Sequence, residues 1–328
     1  MAIRSPIDVS PPTRPAREYR VYPNLIERCA SVEPVRTAVA HPCDEASLTG
    51  AIEAARAKLI TPILIGPEAK IRSVAAQFGL DLAPYALVDV PHSHAAAAKA
   101  VEIVRAGEAD ALMKGSLHTD ELMGEVVRKE TGLRTERRIS HAFIMDVPTY
   151  PKPLVVTDAA INIFPDLETK ADIVQNAIDM AHAFGRDLPK VAILSAVETV
   201  TPKIPSTIDA AALCKMAERG QITGGLLDGP LAFDNAISKE AAEIKGIRSE
   251  VAGDADILLV PDLEAGNMLA KQLTFLANAD AAGIVLGARV PIILTSRADT
   301  VRARMASCAI AALLVDARRR QAGVVAAE

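Results

Sequence analysis

A serine, an arginine and an aspartate fall together in the segment TSRAD (residues 295–299), directly after a short apolar run. Ser296 offers a neutral donor and acceptor, Arg297 a planar cation able to grip a phosphate with two parallel hydrogen bonds, and Asp299 a carboxylate. The plainer alternative is that Asp299 caps the helix that follows, Ser296 closes a turn and Arg297 is solvated. In a second segment, PDLEAGN (residues 261–267), Pro261 ends a strand, Gly266 permits a tight turn, and Asn267 is suited to cap a helix from about Met268. Unpaired N–H groups at such a helix start suit a phosphate oxygen, while Asp262 and Glu264 serve either a ligand or the loop's own amides. The third segment, MKGSLHT (residues 113–119), sets Lys114 beside Gly115 and Ser116, so that backbone and ammonium can approach an anion together. The spacing GxxxxGK[ST] of a phosphate-binding P-loop is absent. His118 and His141 add imidazoles, which in loops more often bond locally than act as bases. Asp158 and Asp234 can orient an arginine or amides, and Gly229-Pro230 marks a turn at a strand end.

Holding such loops requires strands that end in helices, and the apolar periodicity supplies them. Runs at 35–40, 60–65, 86–90, 111–113, 142–146, 154–157, 191–194, 225–227, 257–260 and 292–294 read as buried strands. Helical spacing follows most of them, with Asp44 as an N-cap and helices over 68–78, 94–106, 167–184, 207–219 and 301–318. Alternation of this kind predicts parallel βαβ units with right-handed crossovers. The expected fold is α/β, with two domains of mainly parallel sheet and a cleft between them. The beat slips near 147–153, which divides the chain into a poorly ordered arm (1–20), a first domain (21–147 with 299–328) and a second (148–298).

Composition narrows the function. Half of the residues are hydrophobic and 23% charged, as in a folded globular protein, but only 3% are aromatic and Trp is absent. The net charge of -5 gives no basic footprint for nucleic acid. Cys29, Cys43, Cys214 and Cys308 lie far apart without a CxxC pair, which points to reduced thiols rather than a metal or redox site. No signal-peptide pattern and no long apolar run argues for a membrane, so a cytoplasmic location is expected. The run GLRTERRIS reads as a solvated basic face.

Taken in order, MKG with HT, Ser140-His141, VxDxxxNIxP, KVAILS, DGPLxxDxA, AGxADILLVPDLEAGN and LTSRADT resemble the phosphate acetyltransferase and phosphate butyryltransferase family. They span nearly the whole folded chain, and at SRAD the resemblance is to the butyryltransferase branch. The resemblance implies an isocitrate/isopropylmalate-dehydrogenase-like fold, usually a homodimer. The implied reaction is reversible acyl transfer between coenzyme A and phosphate, with acyl-CoA and phosphate as substrates and no metal or other cofactor. It places the catalytic pair on Ser296 and Arg297. The acetyltransferase branch's aspartate falls on Ala303, which leaves Asp299 as the nearest carboxylate, and an arginine used near HT falls on Glu125, with Arg128 and Arg134 nearby. Two competing readings share the architecture: a metal-dependent NAD(P) hydroxy-acid dehydrogenase, and a non-catalytic acyl-CoA-binding protein.

Overall fold

The computed structural model describes residues 21–295 and 299–325. Eleven strands form one continuous sheet: β1 (Val35–Ala40), β2 (Ile60–Gly66), β3 (Ala86–Asp89), β4 (Ala111–Lys114), β5 (Ser140–Asp146), β6 (Leu154–Thr157), β7 (Lys190–Leu194), β8 (Leu226–Leu231), β9 (Ile257–Leu259), β10 (Asp280–Leu286) and β11 (Ile292–Ile293), in the order β3-β2-β1-β4-β11-β10-β5-β6-β9-β7-β8. The helices are α1 (Val21–Arg28), α2 (Glu45–Arg56), α3 (Glu68–Phe78), α4 (Ser93–Arg105), α5 (Thr119–Val126), α6 (Leu167–Ala183), α7 (Pro205–Glu218), α8 (Phe233–Ile237), α9 (Lys239–Ile244), α10 (Leu263–Phe275) and α11 (Val301–Val325).

The mainly parallel strands form two blocks of opposite direction. β3, β2, β1, β4 and β11 run one way, and β6, β9, β7 and β8 run the other. Between them, β10 and β5 are joined to each other and to their neighbours by antiparallel pairing. The loops after β9 and β11 therefore open in opposite directions. The register nevertheless brings them together, because Met113, Ile293, Ile284, Ala142, Thr157 and Leu259 lie in one row across the sheet. Both blocks thus reach their carboxyl ends at the same level, facing each other across β10 and β5, a switch point of the kind where α/β sheets bind ligands.

The helical layers leave that switch point open on one face. On the other face a single core joins α1, α2, α3, α6, α7 and α11 to the sheet, through residues such as Leu48, Ile52, Ile173, Leu213 and Ile310. On the open face the packing splits into one cluster under α4 and α5 and another under α8 and α9, against which the half-buried Leu269 of α10 also packs. The residues of β5 alternate between these faces with the period of two of a strand. Ala142 and Ile144 enter the continuous core, while Phe143 and Met145 face the split side.

Several local expectations change. β10 was not expected, since its Ala/Gly-rich sequence carries little apolar contrast. Gly229-Pro230 lies inside β8 rather than at a turn, and a Cβ on Gly229 would come 2.8 Å from both Cβ and the carbonyl oxygen of Ile193 on β7. α10 starts at Leu263, five residues before the expected Met268, so Gly266 and Asn267 are helical. Asp262 is its N-cap, accepting from Ala265 N at 2.9 Å. Asp44 caps α2 as expected, accepting from Ser47 N at 2.8 Å. Among the described residues no helix is long and apolar enough to cross a membrane.

Candidate active site

A cavity of about 520 Å³ occupies the split between the two clusters, where β4 and β11 end beside β10 and β5. Lys114, His118, His141, Asn267 and Asp299 all line it, together with Thr295. Five sequence-selected residues thus converge from four separate stretches of the chain. Its apolar wall is made of Phe143, Ala160, Ala270, Phe275, Ala281 and Leu294. The volume falls within the range of roughly 300–1,000 Å³ usual for small-molecule sites, and a cation beside an apolar wall suits a ligand with an anionic head and an acyl part.

Each lining group is held for a physical reason. Lys114, only 7% exposed, ends β4, and its Nζ donates to the carbonyls of Gly115 and Thr295 at 3.3 and 3.4 Å, tying β4 to β11. Asp299 precedes Thr300, whose hydroxyl accepts from Ala303 N at 3.1 Å, so the cap of α11 is Thr300 rather than Asp299. The Asp299 carbonyl accepts from Arg304 Nε at 3.3 Å, and the other end of that buried guanidinium donates to Ala46 O at 2.9 Å on α2. Asn267 reaches Ala159 O at 3.3 Å from α10. His118 stands exposed at the start of α5 and makes no capping hydrogen bond with its side chain.

His141 is 1% exposed and packs edge-on against Phe143 with ring centroids 4.4 Å apart. Burial pushes its imidazole down to about 4, against the opposing pull of the Asp158 carboxylate. Its neighbour Ser140 points to the other face, where Asn176 Nδ2 donates to its hydroxyl at 3.0 Å, so the adjacent pair does not act as a unit.

The remaining selected residues are framework. A Cβ on Gly115 would lie 2.4 Å from Ala40 O and 2.5 Å from His41 O, so this glycine lets the β4 loop lie on the β1 loop. Ser116 fastens the same contact: its hydroxyl donates to His41 O at 2.9 Å, accepts from Cys43 N at 3.2 Å and lies 3.0 Å from His41 Nδ1. Gly266 lets α10 cross the loop after β6, since a Cβ there would come within 2.8 Å of Asp158 O. Asp262 is used in capping, and Glu264 is exposed outside the cavity. Asp158 accepts from the amides of Ala160, Ile161 and Asn162. Arg128 pairs with Glu125 at 2.8 Å and Arg134 is joined to Ala288 by a backbone bridge; neither lines the cavity. Ser296 and Arg297 lie outside the described residues, although Thr295 and Asp299 on either side of them in sequence line the cavity.

Sequence reasoning missed Asp280, Thr274, Lys271 and Phe275, which also line the site. Asp280 opens the unforeseen β10, and its carboxylate lies 3.7 Å from Arg302 Nε. The signal available was an aspartate directly before the uninterrupted non-polar run of residues 281–286. Ala303 lines the cavity too, with a methyl group where a carboxylate would be needed for proton transfer. Among the described residues no group of three His, Cys, Asp or Glu side chains is placed to hold a metal ion.

Fold and cavity together are those of an α/β protein with a site of small-molecule size at a sheet switch point. The model of the family described as Phosphate acetyl/butaryl transferase matches residues 90–312, and the chain belongs to that family. It is 70% identical over 315 residues to a phosphate acetyltransferase of Rhizobium meliloti, covering 96% of this chain and 98% of the relative. To a phosphate butyryltransferase of Clostridium acetobutylicum it is 43% identical, over 88% of this chain and 96% of the relative. The crystal structure of a branched-chain phosphotransacylase from Enterococcus faecalis superposes with a TM-score of 0.74 at 30% identity, over 86% of this chain and 99% of that one.

Proposed function

We propose that this protein transfers an acyl group reversibly between coenzyme A and inorganic phosphate, with acetyl as the preferred group among short chains. The observation that carries the reading is the near full-length, 70% identity to a phosphate acetyltransferase. The cavity's pairing of Lys114 with an apolar wall supports it. The small side chains Ala160, Ala270 and Ala281 leave room for a short acyl chain.

In the direction of acyl-CoA synthesis, coenzyme A and acyl phosphate bind together. The thiol, with an ordinary pKa of about 8.5, loses its proton to Asp299, and the thiolate attacks the acyl carbonyl. The carbonyl π electrons move onto oxygen, where Ser296 donates a hydrogen bond; they then return as the carbon–oxygen bond to phosphate breaks. Arg297 holds the departing phosphate with paired hydrogen bonds, Lys114 adds positive charge beside it, and the proton on Asp299 passes to the phosphate oxygen freed from the acyl carbon, which restores the base. One oxyanion donor contributes roughly 10²–10³ in rate. The cleft lies between the block of β1, β2, β3, β4 and β11 and the block of β6, β7, β8 and β9, and the working form is a cytoplasmic homodimer that uses no further cofactor.

Initial rates test the mechanism. Varying acetyl-CoA and phosphate should give intersecting double-reciprocal lines, with acetyl phosphate trapped as its hydroxamate. Parallel lines, signifying an acyl-enzyme, would overturn direct transfer. Arg297→Ala should raise the phosphate KM; an unchanged KM would remove the phosphate role.

A further inference from the structure

His141 occupies a position that the mechanism above leaves unused. It is 1% exposed, lines the cavity, and its Nδ1 is buried without a hydrogen-bond partner among the described residues. Its place is built by the sheet. In the β5–β10 ladder Phe143 pairs with Gly283, and His141 sits one step along on the same face. The ring leans over Gly283, whose missing side chain makes the room: a Cβ there would lie 2.9 Å from His141 Nε2 and 3.1 Å from Leu294 O. Nε2 is therefore brought beside Leu294, which lines the cavity next to Thr295 and shares its wall with Lys114.

The tautomer follows from burial. A buried N–H without an acceptor costs more than a buried lone pair without a donor, so the proton belongs on Nε2 rather than on the enclosed Nδ1. Burial also keeps the ring uncharged at neutral pH. A neutral imidazole of such low basicity is a poor acceptor for a thiol proton but a good hydrogen-bond donor. Neutral imidazoles polarise carbonyl groups in this manner in other enzymes.

We infer that His141 is a catalytic residue of the acyl transfer, donating a hydrogen bond from Nε2 to the acyl carbonyl oxygen as negative charge gathers there. The inference rests on the acyl-transfer reading. No proton is transferred in this step. As the sulfur–carbon bond forms, the carbonyl π pair moves to oxygen and the Nε2–H···O bond shortens; as the pair returns, the carbon–oxygen bond to phosphate breaks and the histidine keeps its proton. His141 then shares the oxyanion with Ser296 while Lys114 and Arg297 hold the phosphate.

Three variants of the full chain, checked by thermal melting, test the role through phosphate-dependent CoA release from acetyl-CoA. His141→Leu should lower kcat about 10²-fold, with KM for acetyl-CoA and for phosphate each within about threefold of wild type. His141→Gln, whose amide nitrogen reaches the Nε2 position, should recover kcat to within about tenfold, while His141→Asn, whose amide stops at the Nδ1 position, should not. The glutamine and asparagine variants decide the matter if the leucine variant does not fold. A kcat within threefold of wild type in both His141→Leu and His141→Asn would overturn the role. So would an equal loss in all three variants with raised KM, which marks a packing residue. Wild-type protein without turnover would refute the acyl-transfer reading itself, whereas active wild type with indifferent His141 variants refutes only this inference.

Discussion

Gly115→Ala separates framework from ligand contact at the β4 loop. The new Cβ would meet Ala40 O at 2.4 Å, His41 O at 2.5 Å and His41 C at 2.6 Å, about 1 Å short of ordinary contact. All three are backbone atoms of the neighbouring loop, so no side chain can swing aside. Separating the loops breaks the bonds Gly115 N to Ala40 O (2.9 Å), Ser116 N to His41 O (2.8 Å) and Ser116 Oγ to His41 O (2.9 Å). At about 1 kcal/mol each, the loss is roughly 2–4 kcal/mol. Urea unfolding should show it as a lower midpoint at unchanged slope. Because Lys114 is the adjacent residue, activity should fall as well. If the variant kept its stability to within about 0.5 kcal/mol and lost only phosphate affinity, Gly115 would be an anion-approach glycine and the framework role would be wrong.

Other perturbations test the rest of the site. Lys114→Met keeps the buried stem and removes the charge, and should raise the phosphate KM about 10–100-fold, the equivalent of roughly 1.5–3 kcal/mol for a charged hydrogen bond; an unchanged KM removes Lys114 from phosphate binding. Asp299→Asn should lower kcat by about 10²-fold or more, and full rate across pH 6–9 would remove its role as base. Desolvation pushes the thiols of Cys43 and Cys308 up to about 11 and about 12, so at pH 8 both are almost wholly protonated in the fold. Their alkylation by iodoacetamide should follow unfolding, and fast native labelling at either, read by peptide mass spectrometry, would contradict their burial.

The sequence pattern reported elements better than their relations. Strands and helices of the first block stand where the periodicity put them, down to the shared bounds of α3 and the Asp44 cap, because those signals are local. Strand direction is not local: nothing in ILLVPDLEAGN distinguishes a strand running with β11 from one running against it. β10 escaped notice because Ala281, Ala282 and Gly283 give weak contrast, yet that small face is what admits the His141 ring. Gly266 and Asn267 carry turn chemistry, but the Asp262 cap and the tertiary fit against Asp158 and Ala159 place them inside a helix. Lys114, Asn267 and Asp299 were legible as chemistry from residue type and position. Asp280 was not, because its importance comes from the register of a strand the pattern did not reveal.

Phosphate-dependent thiol release, measured side by side on acetyl-, propionyl- and butyryl-CoA, tests the account most directly. The prediction is CoA release only when phosphate is present, with kcat/KM highest for acetyl-CoA. Purified, folded protein that releases no CoA from any of the three, or releases it equally without phosphate, would contradict the account.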